Sequence, residues 1–231
     1  MPIPGTMKIN ILRNLIILIA GIIFPAITFS QNDFESWNSI GFNIDYSKKT
    51  SFEVSNEIRL DDNAKGFKKY LCDFGGEHKF NKNISVAISY RYSRIDNLDA
   101  FVNEHMIYGK VGFSYKISRF DIDFQTRYDR AFEVYGFSSL VKTEDAWRNK
   151  AAVSYNIYGL PLEPFISYEI FISQSKDIFE ANKYRFFGGV KYKISRVNTI
   201  GIYYGIQHSL LQPDNSFILG LKFSVNLDFN E

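Results

Sequence analysis

A chain of 231 residues has room for one domain with a sizeable interior, and its 15 Tyr and 22 Phe suit strands and membrane interfaces better than helical bundles. Lys and Arg total 27 against 25 Asp and Glu; Lys8 and Arg13 fall in an acid-free leader, so the remainder is balanced and nothing recommends a nucleic-acid partner. The single cysteine, Cys72, excludes an intramolecular disulfide and a two-cysteine metal clamp.

From Met7 the chain has a short basic region (Lys8, Arg13), an apolar run from Leu15 to Phe24 broken by Pro25, and small residues at Thr28 and Ser30. Residues 1–30 therefore read as a Sec signal peptide cleaved before Gln31, with the six residues ahead of Met7 consistent with an upstream start codon. No cysteine follows the apolar run, so a lipoprotein anchor is not expected.

The remainder, 31–231, alternates with a period of two and shows no helical period. Ile40, Phe42, Ile44 and Tyr46 share one face, opposite Ser39, Gly41, Asn43 and Asp45. Phe52, Val54, Asn56, Ile58 and Leu60 oppose Glu53, Ser55, Glu57 and Arg59. Asn81-Lys82-Asn83 turns a hairpin running from Tyr70 to Arg94, whose second arm sets Ile84, Val86, Ile88, Tyr90 and Tyr92 against Ser85, Ala87, Ser89, Arg91 and Ser93. After a loop at 96–101, two further strands follow, and residues 130–145 read as a long loop. The strand ending at Ile157 is weaker, with Trp147, Ala151, Val153 and Tyr155 on its apolar face. Strands around Tyr168, Phe186 and Tyr204 lead to the cleanest one, where Phe217, Leu219, Leu221, Phe223, Val225, Leu227 and Phe229 share a face.

Short turns fall near residues 47, 81, 117, 158 and 194, with longer polar connections between them, which is the asymmetry of an outer-membrane barrel. Tyr115-Lys116-Ile117-Ser118-Arg119 recurs as Tyr192-Lys193-Ile194-Ser195-Arg196. The apolar face ends before the turns in Tyr46, His78, Tyr115, Tyr155 and Tyr192, an expected interfacial girdle. Turned inward, the apolar faces would enclose a wide greasy interior with nothing to fill it; turned to lipid, they leave a closed sheet that satisfies its own backbone. The expected fold is all-β: an antiparallel up-and-down transmembrane barrel of ten to twelve strands. Eleven are read where an even number is expected, so either the first segment is not a full strand, a loop hides another, or one parallel pair closes an odd barrel.

The opposite face then lines a lumen dense in charge. Its members are Glu53, Glu57, Arg59, Asp73, Glu77, Arg91 and Lys110 on the first strands, Asp121, Asp123, Arg127, Arg148 and Lys150 in the middle, and Glu169, Arg185, Lys191 and Lys222 beyond. Mixed signs at this density favour mutual neutralisation over a wide selective pore, with gaps beside Gly189, Gly201, Gly205 and Gly220 to hold water.

Trp37, Glu57-Ile58-Arg59, Gly75-Gly76 and Tyr90-Arg91-Tyr92-Ser93 together resemble the Gram-negative outer-membrane barrels grouped as domain-of-unknown-function family 2490, over about Asp33 to Phe229. The resemblance implies a fold and a location, and no activity. No catalytic residue is assigned: lipid hydrolases of this class set a His and a Ser two apart, whereas Gln207-His208-Ser209 sends the pair to opposite faces. No metal-ligand spacing or phosphate loop occurs, so no cofactor is expected. The expected partners are outer-membrane lipid and, during insertion, the barrel-assembly machinery. The expected role is a narrow pore or structural scaffold; a lipid-acting enzyme and a soluble secreted binding barrel are the alternatives.

Overall fold

The computed structural model describes residues 33–97, 100–135, 141–175, 178–211 and 214–229. The leader at 1–30 lies outside them. Eleven strands follow one another: β1 (Asp33–Asp45), β2 (Thr50–Asp61), β3 (Gly66–Lys79), β4 (Ile84–Asn97), β5 (Ala100–Ile117), β6 (Phe120–Tyr135), β7 (Val141–Tyr155), β8 (Leu162–Ser175), β9 (Ile178–Lys193), β10 (Asn198–Ser209) and β11 (Asp214–Asp228).

Every strand pairs antiparallel with its sequence neighbours, and β1 closes the barrel against β11 in parallel, from Asp33↔Ser216 to Asp45↔Asp228. Among the described residues the odd count is thereby real: the first segment is a full strand of 13 residues and β6 pairs directly with β7. Closure leaves no sheet edge, so backbone donors and acceptors pair within the sheet, as a hydrocarbon surrounding requires. Because the count is odd, β1 starts at the mouth opposite to the one where β11 ends.

Residues 130–145 were expected as a loop, but β6 runs on to Tyr135 and β7 begins at Val141; β4 and β5 likewise extend into the loop expected at 96–101. The strands lengthen there because each extra residue pair adds ladder hydrogen bonds to a hairpin already in register. The two mouths consequently differ in how far the strands project past the apolar band. On β6 the outward stripe starts at Phe120, beside the turn, and is interrupted at Arg130, whose guanidinium binds Asp145 with two 2.8 Å bonds; the strand continues beyond with Phe132 and Val134 on the same face.

The short turns repeat one device. Asn83 and Ile84 N–H donate to Asn81 Oδ1 at 2.8 and 2.9 Å, Thr50 N–H donates to Ser47 Oγ at 3.0 Å, and Asn198 N–H donates to Ser195 Oγ at 3.0 Å. The two copies of Tyr-Lys-Ile-Ser-Arg diverge. Ser195 accepts from the backbone two and three residues on, whereas Ser118 takes a left-handed φ of 55° and lets β6 begin at Phe120.

Alternation decides the two surfaces. Ile88 is 68% exposed and Phe74 56% exposed on the outer wall, as are Ile107, Phe124 and Leu221. Arg127 (6%), Asp129 (4%) and Glu35 (1%) are buried inside. That is the reverse of a water-soluble barrel and removes the soluble alternative: an apolar skin around a charged interior suits a hydrocarbon solvent. Polar side chains on the skin are covered locally, Asn56 by the Tyr70 hydroxyl and Asn103 by the Tyr92 hydroxyl.

Candidate functional site in the lumen

Five arginines from five strands, Arg59, Arg91, Arg127, Arg148 and Arg185, converge at one level of the lumen around three aromatic rings. Arg59 lies 3.6 Å from the centroid of Trp37 and Arg185 4.9 Å from it. Arg127 lies 3.7 Å over Tyr108. Phe171 takes Arg148 at 4.3 Å, Arg185 at 4.4 Å and Lys183 at 4.6 Å. Planar guanidinium groups stack on ring faces while their edges still bind carboxylates, which lets the layer be dense in charge; Arg148 Nε is left without a hydrogen-bond partner among the described residues.

The carboxylates complete it. Arg59 Nε donates to Glu57 at 2.5 Å, Arg91 Nε to both oxygens of Asp73 at 2.9 and 3.0 Å, and Arg127 makes a two-bond fork with Asp129. The Tyr108 hydroxyl donates to Asp73 at 2.8 Å, tying its ring to the Arg91 pair. Glu169 serves two cations, Arg148 at 3.3 Å and Arg185 at 3.5 Å, and Arg185 Nε donates to Gln207 at 2.8 Å. Above, the Trp37 indole donates to Glu35 at 2.8 Å, and Glu35 accepts from Lys68 at 2.7 Å. Together with buried Leu71, Ser93, Phe171 and Ile218, this network fills the bore.

On the other side of the layer the lumen widens into a cavity of about 860 Å³. Asn43, Glu53, Glu77, Ser154, Lys193, Thr199 and Asn226, all near the short-turn ends of their strands, line it together with the layer's Trp37, Arg91, Arg148 and Arg185. The cavity therefore opens at the short-turn mouth and ends on the arginine layer. Ion pairs dress its walls: Lys110–Glu77 at 3.2 Å, Lys191–Glu163 at 2.7 Å and Lys193–Glu163 at 3.4 Å.

Of the charges expected in the lumen, Glu53, Glu57, Asp73, Glu77, Arg91, Lys110, Asp123, Arg148, Lys150, Glu169, Arg185, Lys191 and Lys222 line this cavity. Arg59 and Arg127 are held within the layer, and Asp121 pairs with Lys116 at 3.4 Å near the rim. Sequence reasoning missed Glu35, Lys68 and Glu163, which lay beyond the strand limits read, and the aromatic hubs. A signal for the latter existed: Tyr108, Phe165, Phe171, Phe187 and Tyr203 all stand on the polar side of the alternation, where an aromatic has no reason to meet lipid. The glycine gaps are a correction. A Cβ on Gly220 would collide with the Tyr203 ring, and one on Gly205 with the Phe187 ring, so aromatic side chains lie flat over these positions and leave no room for water. Gly201 alone of the four faces the cavity, where an added Cβ would first meet the Lys222 backbone oxygen at 3.8 Å.

At the short-turn end Tyr46, Tyr115 and Tyr192 project outward and are well exposed. His78 lies 3.0 Å from the Thr50 hydroxyl, and Tyr155 packs on Phe120 at 4.9 Å. His208 faces outward on β10, its Nδ1 2.8 Å from Asn215 Oδ1 and its ring 5.0 Å from Tyr184. Ser209 pairs with Lys183 on the inward side, so the two do not form a nucleophile and base. Among the described residues no three His, Cys, Asp or Glu side chains converge to hold a metal ion.

A closed sheet with an apolar skin, a charged bore and strands long enough to cross a bilayer is an integral outer-membrane β-barrel. Residues 34–217 match the family described as "Protein of unknown function (DUF2490)", and the chain belongs to that family. None of the curated proteins matches. Similar solved structures include the β domain of the Bordetella autotransporter BrkA, at 9% identity and TM-score 0.47, with 75% of this chain and 78% of that one covered. They also include the outer-membrane protein OmpT of Vibrio cholerae, at 15% identity and TM-score 0.40, with 69% and 54% covered, and the siderophore receptor PirA of Pseudomonas aeruginosa, at 9% identity and TM-score 0.36, with 74% and 34% covered. The chain thus spans about half the length of OmpT and a third of PirA.

Proposed function

We propose that this protein is a closed outer-membrane barrel, a lipid-embedded scaffold whose bore is stoppered by its own side chains and does not conduct at rest. The observation that carries the reading is the arginine layer, in which Arg127, Asp129 and Arg185 are each no more than 6% exposed although they face the lumen. Ions crossing it would have to part guanidinium–carboxylate pairs that are braced by aromatic rings, Arg185 by two of them. The leader at 1–30 suits Sec export, the barrel-assembly machinery would insert the strands, and lipid is the partner of the outer wall. The short-turn mouth, where the apolar band reaches the turns, is taken as periplasmic.

Planar-bilayer recording tests this. The refolded wild type is expected to give no steady conductance steps, and the double substitution Arg185→Ala/Phe171→Ala, which removes both the stopper and one of its ring supports, is expected to give them. A wild type with steady open steps overturns the proposal.

A further inference from the structure

The cavity at the short-turn mouth divides its charge between two walls. On β7 to β11 it is lined by Arg148, Lys150, Arg185, Lys191, Lys193 and Lys222 against only Glu163 and Glu169. Those two acids are already shared, Glu163 between Lys191 and Lys193, and Glu169 between Arg148 and Arg185. Lys150 and Lys222 are left with no carboxylate within ion-pair distance among the described residues. The cations that bear on Lys150 are Lys222, Arg148 and Lys191, with Glu169 the acid opposing them.

The wall between the cations is bare. Gly201 stands in register between Lys191 on β9 and Lys222 on β11, and a Cβ there would meet nothing closer than 3.8 Å. Thr199, Ser224 and Ser167 line the same cavity with hydroxyl groups. Like charges held around an open, hydroxyl-lined recess are stabilised by a counter-anion, and lysine supplies three rotatable donors to receive one. A cavity of about 860 Å³ falls in the usual size range for a small-molecule site.

The geometry points to a binding site for a compact polyanion, phosphate- or carboxylate-bearing, held between Lys150 and Lys222 in front of Gly201 and entered from the short-turn mouth. Two unpaired ammonium groups call for at least two negative charges on the occupant. The site does not depend on whether the arginine layer conducts, since the cavity lies wholly to one side of that layer.

The test is equilibrium dialysis of the refolded mature protein in zwitterionic micelles against radiolabelled inorganic pyrophosphate, with citrate as competitor. One saturable site is expected, weakening as salt rises, and binding is expected to be at least tenfold weaker in Lys150→Gln/Lys222→Gln. Lys48→Gln/Lys49→Gln, in an exposed turn, is the charge-matched control and should bind as the wild type. Heat-modifiable gel migration checks that each variant has folded. Displacement by citrate assigns the shared polyanion chemistry, and resistance to citrate narrows it to phosphate. Absence of saturable pyrophosphate uptake, or uptake unchanged in a folded Lys150→Gln/Lys222→Gln protein, overturns the inference.

Discussion

Glu169 is the residue on which the arginine layer depends most, and neutralising it as Glu169→Gln isolates what that layer contributes. Its carboxylate lies 3.3 Å from Arg148 and 3.5 Å from Arg185, and in register it stands beside Lys150. With an effective dielectric near 20, each contact has a gross Coulomb energy of about 5 kcal/mol. Desolvation of all three side chains takes back most of that, and removing one partner of a buried pair costs roughly 3–5 kcal/mol because the remaining charge is stranded. Arg185 retains Gln207 at 2.8 Å and Arg148 retains the Phe171 ring, which places Glu169→Gln near the lower end, about 3 kcal/mol. Urea unfolding in lipid vesicles, followed by loss of heat-modifiable migration, measures it. Removing a stranded cation as well, in Glu169→Gln/Arg148→Met, should recover about 1 kcal/mol. A single variant within about 0.5 kcal/mol of wild type, or a double variant that is simply additive, would show that the layer is an accident of side-chain crowding rather than a coupled network.

Three further outcomes test the assignment of faces. Ile88→Arg places a charge on the lipid wall and should destabilise the barrel by roughly 2–4 kcal/mol in the same urea assay. Gly220→Ala must displace the Tyr203 ring and should cost about 1–3 kcal/mol, a penalty relieved by adding Tyr203→Ala; Gly109→Ala, which meets nothing within 4 Å, should stay within about 0.5 kcal/mol. Of the two tryptophans, Trp147 stands on the outer wall and Trp37 inside the bore, so brominated lipid should quench Trp37→Phe, which keeps Trp147, and leave the emission of Trp147→Phe unchanged. Equal quenching of both would mean that the inner and outer faces have been misassigned.

The faces themselves were readable residue by residue. A period of two needs no tertiary information, and Phe217 to Phe229 or Ile84 to Tyr92 announce a strand with one lipid side wherever they are placed. The turn positions were legible for the same reason: Asn81, Ser47 and Ser195 bond their own backbones two or three residues on, which is a local matter. Strand ends were not. Residues 130–145 read as a connection, yet Arg130 to Val134 pair with Val141 to Asp145, since hairpin register is a property of two segments and not of either alone.

The lumen divides in the same way. That Arg91, Arg185 and Glu169 face inward followed from alternation; that Asp73, Gln207 and Arg148 are their partners did not, because cross-strand register decides which heights meet. The aromatic hubs were hidden by the habit of assigning rings to lipid, whereas Trp37 and Phe171 hold cations on their faces inside the bore. The fate of the glycines also turned on neighbours: Gly220 and Gly201 look alike in sequence, but one lies beneath a tyrosine and the other faces open cavity.

By itself, then, the sequence determined that this chain is an outer-membrane barrel with an apolar skin and a charged bore, because alternation and turn chemistry act over a few residues. Only the tertiary structure decided that eleven strands close through a parallel β1–β11 seam, that five arginines from separate strands meet to stopper the bore, and that Lys150 and Lys222 face the cavity with no carboxylate within ion-pair distance among the described residues. Closure and shear set which residues share a height around the barrel, and that relation joins positions nearly two hundred residues apart.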